Sequence, residues 1–278
     1  MSSFDFIPNK EQLDILALAS PFALQIYQKH TQRAEAFLGE FGFGTPVTRA
    51  DFDGLVRRFV GLGTTYYLDS INEKMVMQGL RELRHFLMLK WIWQDALAVI
   101  TLEDLTRELS DFADSCISFS KDFVYHKLTN RYGDPIIRRK TKQLKDELAI
   151  IAMGKLGARE LNLSSDIDLI FVHIDNGDTD GKKCIDSHKF MRDLGRGVIK
   201  LLDENTEHGF VFRVDMRLRP WGDGSPLVLH LQALEKYFNQ HGRTWERFAW
   251  LKARVVNDIS DEFATQLRQI TKNFVHRY

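Results

Sequence analysis

Apolar residues recur at three- and four-residue spacing through the first half of the chain, and the second half switches to short continuous apolar runs broken by glycine and charge. The helical spacing predicts a pair of helices from Glu11 to Leu38, divided at Ser20-Pro21 because proline favours a helix's first turn. Gly39, Gly42, Gly44 and Pro46 predict a loop, and further helices are expected over Phe52–Phe59, Ile71–Ile100 and Leu102–Leu128. The second of these is strongly apolar around Trp91 and Trp93, which are expected in the core because aromatic side chains dominate buried area. From Glu147 onward the pattern predicts strands at Leu148–Met153, Asp166–Ile174, Phe210–Leu218 and Leu227–His230. Helices are expected over Cys184–Glu204, Leu231–Asn239 and Arg243–Val256, with a turn or surface loop at Asp175–Asp178.

Two of these strands carry candidate chemistry. Asp166 and Asp168 flank Ile167, so their side chains share one face while Ile167 and Leu169 share the other. Two like charges on one face repel unless a cation lies between them, and magnesium suits a few carboxylates completed by water and phosphate oxygens. The later strand alternates strictly, placing Arg213, Asp215, Arg217 and Arg219 on one face and Phe212, Val214, Met216 and Leu218 on the other. Alone, that alternation describes a solvent-facing strand with no function. Beside the paired aspartates, Asp215 offers a third carboxylate to a two-metal site and the arginines offer forked hydrogen bonds to phosphate. Salt bridging of Arg217 and Arg219 to Asp215 or other acids is the competing reading. The cluster Arg243, Glu246, Arg247 and Arg254 reads as a solvated or salt-bridged helix face, and His173 as packed or exposed.

Composition narrows the field. In a chain of 278 residues, 38 basic side chains balance 38 acidic ones, so no broad basic face points to nucleic acid. No apolar run reaches membrane-spanning length, and Met1 to Lys10 lacks the basic start and apolar core of a signal peptide. Cys116 and Cys184 lie too far apart in sequence to form a metal-binding pair and are expected to be buried thiols. A soluble, reducing, cytoplasmic setting is the expectation.

At the candidate chemistry the chain resembles a known family. A glycine turn, then Asp166-Ile167-Asp168, then Asp215 on a strand is similar to the nucleotidyltransferase superfamily that includes DNA polymerase beta. Gly154-Lys155-Leu156-Gly157, Glu160-Leu161-Asn162, Ser164 to Phe171, Val214 to Pro220 and Gly242 to Arg247 resemble, more closely, the bifunctional glutamine synthetase adenylyltransferases. Members carry two nucleotidyltransferase domains; the amino-terminal one removes AMP from a tyrosine of glutamine synthetase and the other attaches it. The run Arg219 to Val228, with Gly242 to Ala249 and Lys252-Ala253-Arg254, resembles the removing half. Family members usually carry a second glycine after Gly157, where this chain has Ala158.

The resemblance implies an α+β fold, with a helical amino-terminal region packed on a polymerase-beta-like sheet and followed by carboxy-terminal helices. The expected divisions are a helical region over 1–146, a nucleotidyltransferase core over 147–256 and the start of a truncated helical linker over 257–278. It implies that Asp166 and Asp168 bind two magnesium ions and Asp215 one of them. It implies that Gly157, Ala158 and Ser165 cradle nucleotide phosphates and that Arg217 and Arg219 hold phosphate; Gly157 equally suits a tight turn, and Lys155 a phosphate or solvent. The implied reaction is phosphorolysis, in which inorganic phosphate attacks the adenylyl phosphorus and ADP leaves. Implied partners are adenylylated glutamine synthetase, phosphate, ADP or ATP, and the PII signalling protein, with no nucleic acid and no membrane. The alternatives are ATP-dependent adenylylation by the same carboxylates, and a non-catalytic regulatory module.

Overall fold

The computed structural model of the protein describes residues 7–41, 46–63, 67–138 and 143–276. Contacts divide the chain into two compact units, the first Met1–Ser115 with Leu161–Ser164 and Asn205–Val211, the second Cys116–Glu160, Ser165–Glu204 and Phe212–Tyr278.

The first unit is helical, with α1 (Lys10–Ala19), α2 (Pro21–Lys29), α3 (Thr31–Phe41), α4 (Arg49–Phe59), α5 (Glu73–Ala96) and the opening turns of α6 (Leu102–Tyr132). The break at Ser20-Pro21 falls where expected, because the Ser20 hydroxyl accepts the Ala23 N–H and Pro21 has no N–H to leave unpaired. A second break at His30 was not visible in the spacing; His30 leaves the helical region (φ −132°, ψ 34°), and the Thr31 hydroxyl donates back to the Tyr27 carbonyl at 3.0 Å. Gly39 lies inside α3 rather than in the expected loop, while Gly42 and Gly44 fall outside the described residues.

Helix α5 supplies the centre of this core, and Trp91 and Trp93 are fully buried as expected. Trp91 pays its polar debt locally, donating from Nε1 to buried Glu108 at 2.7 Å. The other Glu108 oxygen accepts the Val47 N–H at 2.8 Å, and buried Lys90 stands 3.5 Å away while donating to Gln94. Each buried charge here has partners, the condition under which such groups are tolerated.

His85 adds a pH dependence. Burial, then the positive charges of Arg84, His208, His30 and Lys29, bring its pKa down from 6.5 to about 4. Between those values the unfolded chain binds the proton that the folded chain refuses, so stability rises with pH. Lowering pH from 7 to 4.5 is expected to cost about 2 kcal/mol through His85 after allowing for solvent screening of its exposed edge. His85→Gln should flatten that part of a urea-unfolding pH profile; an unchanged slope would exclude His85 as its source.

The second unit is α+β. Strands β1 (Pro135–Arg138), β2 (Gln143–Lys145), β3 (Leu148–Ala152), β4 (Ile167–His173), β5 (Asp178–Thr179), β6 (Val214–Asp215), β7 (Val228–His230) and β8 (Arg254–Val255) form two sheets. Helices α7 (Gly154–Gly157), α8 (Ser187–Asp203), α9 (Leu231–Gln240), α10 (Thr244–Leu251) and α11 (Asp261–Val275) complete it. The small sheet runs β2-β1-β5, all antiparallel, and was not anticipated because two- to four-residue strands show no period. The main sheet runs β6-β4-β3-β8, and β7 also pairs β4. One edge of β4 is thus shared: β6 runs parallel to Ile167 and Asp168, β7 parallel to Phe171–His173.

Both faces of this sheet are covered. Ala149, Ile151, Ile170 and Val172 pack with Leu234, Phe238, Trp250, Phe263, Leu267 and Phe274 from α9, α10 and α11. On the other face α8 approaches so closely that a methyl on Gly195 would lie 2.8 Å from the Phe171 ring. Beyond β8, the Asn257 side chain continues the sheet's bonding, accepting from Ile150 N–H at 2.7 Å and donating to the Leu148 carbonyl at 2.9 Å.

Three further expectations are corrected. The strand expected over Phe210–Leu218 is only Val214–Asp215, because the Arg217 N–H donates to the Asp215 side chain at 2.8 Å and turns the chain out of the sheet. The helix expected to reach Val256 stops at Leu251, and Arg254–Val255 joins the edge of β3 instead. Cys116 is buried, but Cys184 is exposed, with its thiol 3.0 Å from the Thr179 carbonyl.

Candidate active site

Sheet register builds the site. In the parallel pairing of β4 with β6, Asp168 stands directly opposite Asp215, so side chains 47 positions apart in sequence become neighbours on one face. Asp166 lies one residue before β4, where the Ile167 N–H bonds to the Arg213 carbonyl at 2.9 Å. The three predicted aspartates therefore converge at the start of one strand pair.

Their charges are handled differently. Burial, followed by the negative charges of Asp215 and Asp166, raises the pKa of Asp168. Asp215 moves the other way, because the Arg217 side chain donates to it, Nε at 2.8 Å, and holds its carboxyl below the ordinary range. Asp166 is ion-paired with Arg213. Asp168 thus carries the unrelieved part of the repulsion.

The turn from β3 to the site is fixed by backbone. Gly154 has φ +55°, and a methyl group there would lie 2.6 Å from Asp168 Oδ2. Lys155 Nζ approaches Ser165 Oγ at 3.5 Å, which places both predicted side chains at the turn's open side. Gly157 is packed against the Lys252 carbonyl, with no room for a Cβ. Ala158 takes φ −81°, ψ −5°, a conformation open to any residue, so its methyl brings no backbone strain.

The arginines divide. Arg217 is largely exposed beyond its pairing with Asp215. Arg219 is nearly buried, donating to the Met216 carbonyl at 2.7 Å and to Asp223 at 3.2 Å, and so braces the loop after β6. Arg254, from the cluster assigned no catalytic role, donates to the Leu156 carbonyl at 3.0 Å and holds the glycine turn from beneath. Glu246 is buried, accepting the Tyr237 hydroxyl at 2.6 Å and the Arg243 N–H at 2.7 Å. Sequence reasoning named Gly154 within the glycine turn and Arg254 within the Lys252-Ala253-Arg254 motif, but assigned neither a role at the site.

A profile described as glutamate-ammonia ligase adenylyltransferase matches residues 64–269, across both carboxylate strands and the glycine turn. The chain belongs to this family. It is 44% identical over 272 residues to the bifunctional glutamine synthetase adenylyltransferase/adenylyl-removing enzyme of Acinetobacter baylyi, covering 98% of this chain and 28% of that protein. The proteins of the same description from Thioalkalivibrio sulfidiphilus and Pseudomonas putida are 44% and 38% identical, over 74% and 97% of this chain. The chain spans about a quarter of the length of these relatives. Among the described residues no helix is long and apolar enough to cross a membrane.

The carboxylate cluster bears on metal binding. Among the described residues no three acidic, histidine or cysteine side chains are grouped to hold a metal ion, and Asp166 and Asp215 engage arginines. The donor set is nonetheless all carboxylate oxygen, which suits a hard cation such as magnesium, and Asp168 bears like-charge repulsion that a cation relieves. By donor type, the three carboxylates suit such an ion.

Proposed function

We propose that this chain removes AMP from the adenylylated tyrosine of glutamine synthetase by magnesium-dependent phosphorolysis, releasing ADP. The observation that carries the reading is the facing of Asp168 and Asp215 across β4 and β6, beside the Gly154 turn. The relatives' names give both an attaching and a removing activity on glutamine synthetase, and the Arg219–Val228 run resembles the removing half.

Asp166, Asp168 and Asp215 would hold the magnesium, which when bound draws charge from the phosphoryl oxygens. Asp168, half-buried on β4, fixes the position of the reacting phosphorus relative to the sheet. Arg217, exposed above Asp215, offers a fork of donors to the incoming inorganic phosphate. The turn at Gly154 leaves the backbone beside Asp168 free of side-chain obstruction, so that it can approach the nucleotide, while Gly157 packs the turn against Lys252. An oxygen of inorganic phosphate forms the new bond to the adenylyl phosphorus, and the bond from that phosphorus to the tyrosine oxygen breaks. The tyrosine leaves as a phenolate, which then takes a proton from water; its conjugate acid has an unperturbed pKa of about 10, so it is a better leaving group than an alkoxide.

The test mixes the chain with adenylylated glutamine synthetase, magnesium and inorganic phosphate. ADP should appear at a rate that depends on phosphate. ADP formation absent from a folded, magnesium-binding chain, together with AMP incorporation from ATP into unmodified glutamine synthetase, would assign the attaching reaction instead.

A further inference from the structure

The far end of β4 from Asp168 carries a second cluster of ligand-bearing side chains. His173 closes β4 and His230 closes β7, and the parallel register sets them side by side. His188 lies in the first turn of α8, with its ring centroid 5.6 Å from that of His173; the His230 centroid is 6.3 Å from it. His173 is fully buried, and its Nδ1 lies 2.8 Å from an oxygen of buried Asp146. The other Asp146 oxygen accepts the Ile174 and Glu147 N–H groups at 2.9 and 3.1 Å, so the carboxylate is pinned. A carboxylate at Nδ1 places the ring proton there and leaves the Nε2 lone pair free.

That Nε2 faces His188 Nδ1 at 3.5 Å. The separation is long for a hydrogen bond. It is close to the roughly 3.3 Å expected between two nitrogens bound at about 2.0–2.1 Å to one tetrahedral ion. A carboxylate behind a ligating histidine is also the arrangement that fixes the ring's tautomer and strengthens it as a donor. Asp186 and Asp175 add negative charge near His188 and His230. His230 has another duty, its Nδ1 accepting the Ala233 N–H at 3.2 Å to cap α9, and it stands beside the pair as a wall.

We propose that His173 Nε2 and His188 Nδ1 form a two-imidazole site for a divalent first-row transition ion such as zinc, with water completing the coordination. Imidazole nitrogen favours zinc, nickel or copper, whereas the carboxylates at the other end of β4 favour magnesium. The two ends of one strand thereby sort ions by donor type. The ion ties the end of β4 to the first turn of α8, and the site does not depend on the reaction proposed above.

Calorimetric titration of the chain with zinc chloride, in excess magnesium to occupy the carboxylates, tests this. One equivalent of zinc should bind, about tenfold or more weaker in His188→Ala and with unchanged affinity in Asp168→Asn. Absence of binding, equal affinity in His188→Ala, or loss in Asp168→Asn would overturn the proposal. Should His188→Ala not fold, the ring nitrogen resonances of the unaltered chain decide: zinc must shift those of both His173 and His188, and no shift at either sinks the site.

Discussion

Asp168→Asn is expected to reduce phosphate-dependent ADP release by at least about a thousandfold, a loss of roughly 4 kcal/mol of transition-state stabilisation. The substitution keeps shape but replaces one acceptor oxygen with an NH2 donor and removes the half-buried charge that faces Asp215 across the parallel strands. The sign of the effect on stability is opposite. Burial and two neighbouring carboxylates raise the Asp168 pKa, so at neutral pH the folded chain bears an ionised group that the unfolded chain accommodates more easily. Neutral asparagine relieves that burden, and the melting temperature should hold or rise. Loss of activity with retained stability separates a ligand from a packing residue. Asp168→Asn with an unaltered rate of ADP release would remove Asp168 from the chemistry.

What the sequence made legible follows from the length of each pattern. The apolar run Leu148–Met153 and the Asp-x-Asp start of the next strand are local, and the β3–β4 pair appears almost residue for residue. The alternation from Phe210 to Leu218 is equally clear, yet only two residues pair, because the Asp215 side chain captures the Arg217 N–H and the strand ends there. Alternation reports two faces, not the point at which a side chain competes with the ladder. Arg254 and Val255 sit at spacing compatible with a continued helix, and only the open edge of β3 draws them into a strand. The contact of Tyr237 with Glu246 leaves no local trace, since it joins two helices across an intervening turn. The Asp146–His173 pair is invisible for the same reason: an acid before one strand meets the last residue of the next.

The glycine turn shows how partial legibility leads to a sharper expectation. Sequence weight fell on Gly157 and Ala158, but the glycine set directly against the site carboxylate is Gly154, at φ +55° beside Asp168. The turn cannot move aside to admit a methyl group. The Met153 N–H bonds to the Asp168 carbonyl at 2.9 Å, the Gly157 N–H to the Met153 carbonyl at 2.9 Å, and Arg254 holds the Leu156 carbonyl. In Gly154→Ala the Asp168 carboxylate must therefore rotate away, or the backbone must leave the left-handed region. Either adjustment should cost about 1–2 kcal/mol of stability and lower kcat by about a hundredfold, because misplacing a catalytic group by about 1 Å has that scale of effect. Gly54→Ala is the control: Gly54 is helical, has open space around its Cβ position, and should gain up to about 1 kcal/mol with activity unchanged. If Gly154→Ala lost stability but kept its rate, the turn would be a structural corner, and positioning of Asp168 would have to come from its pairing with β6 alone.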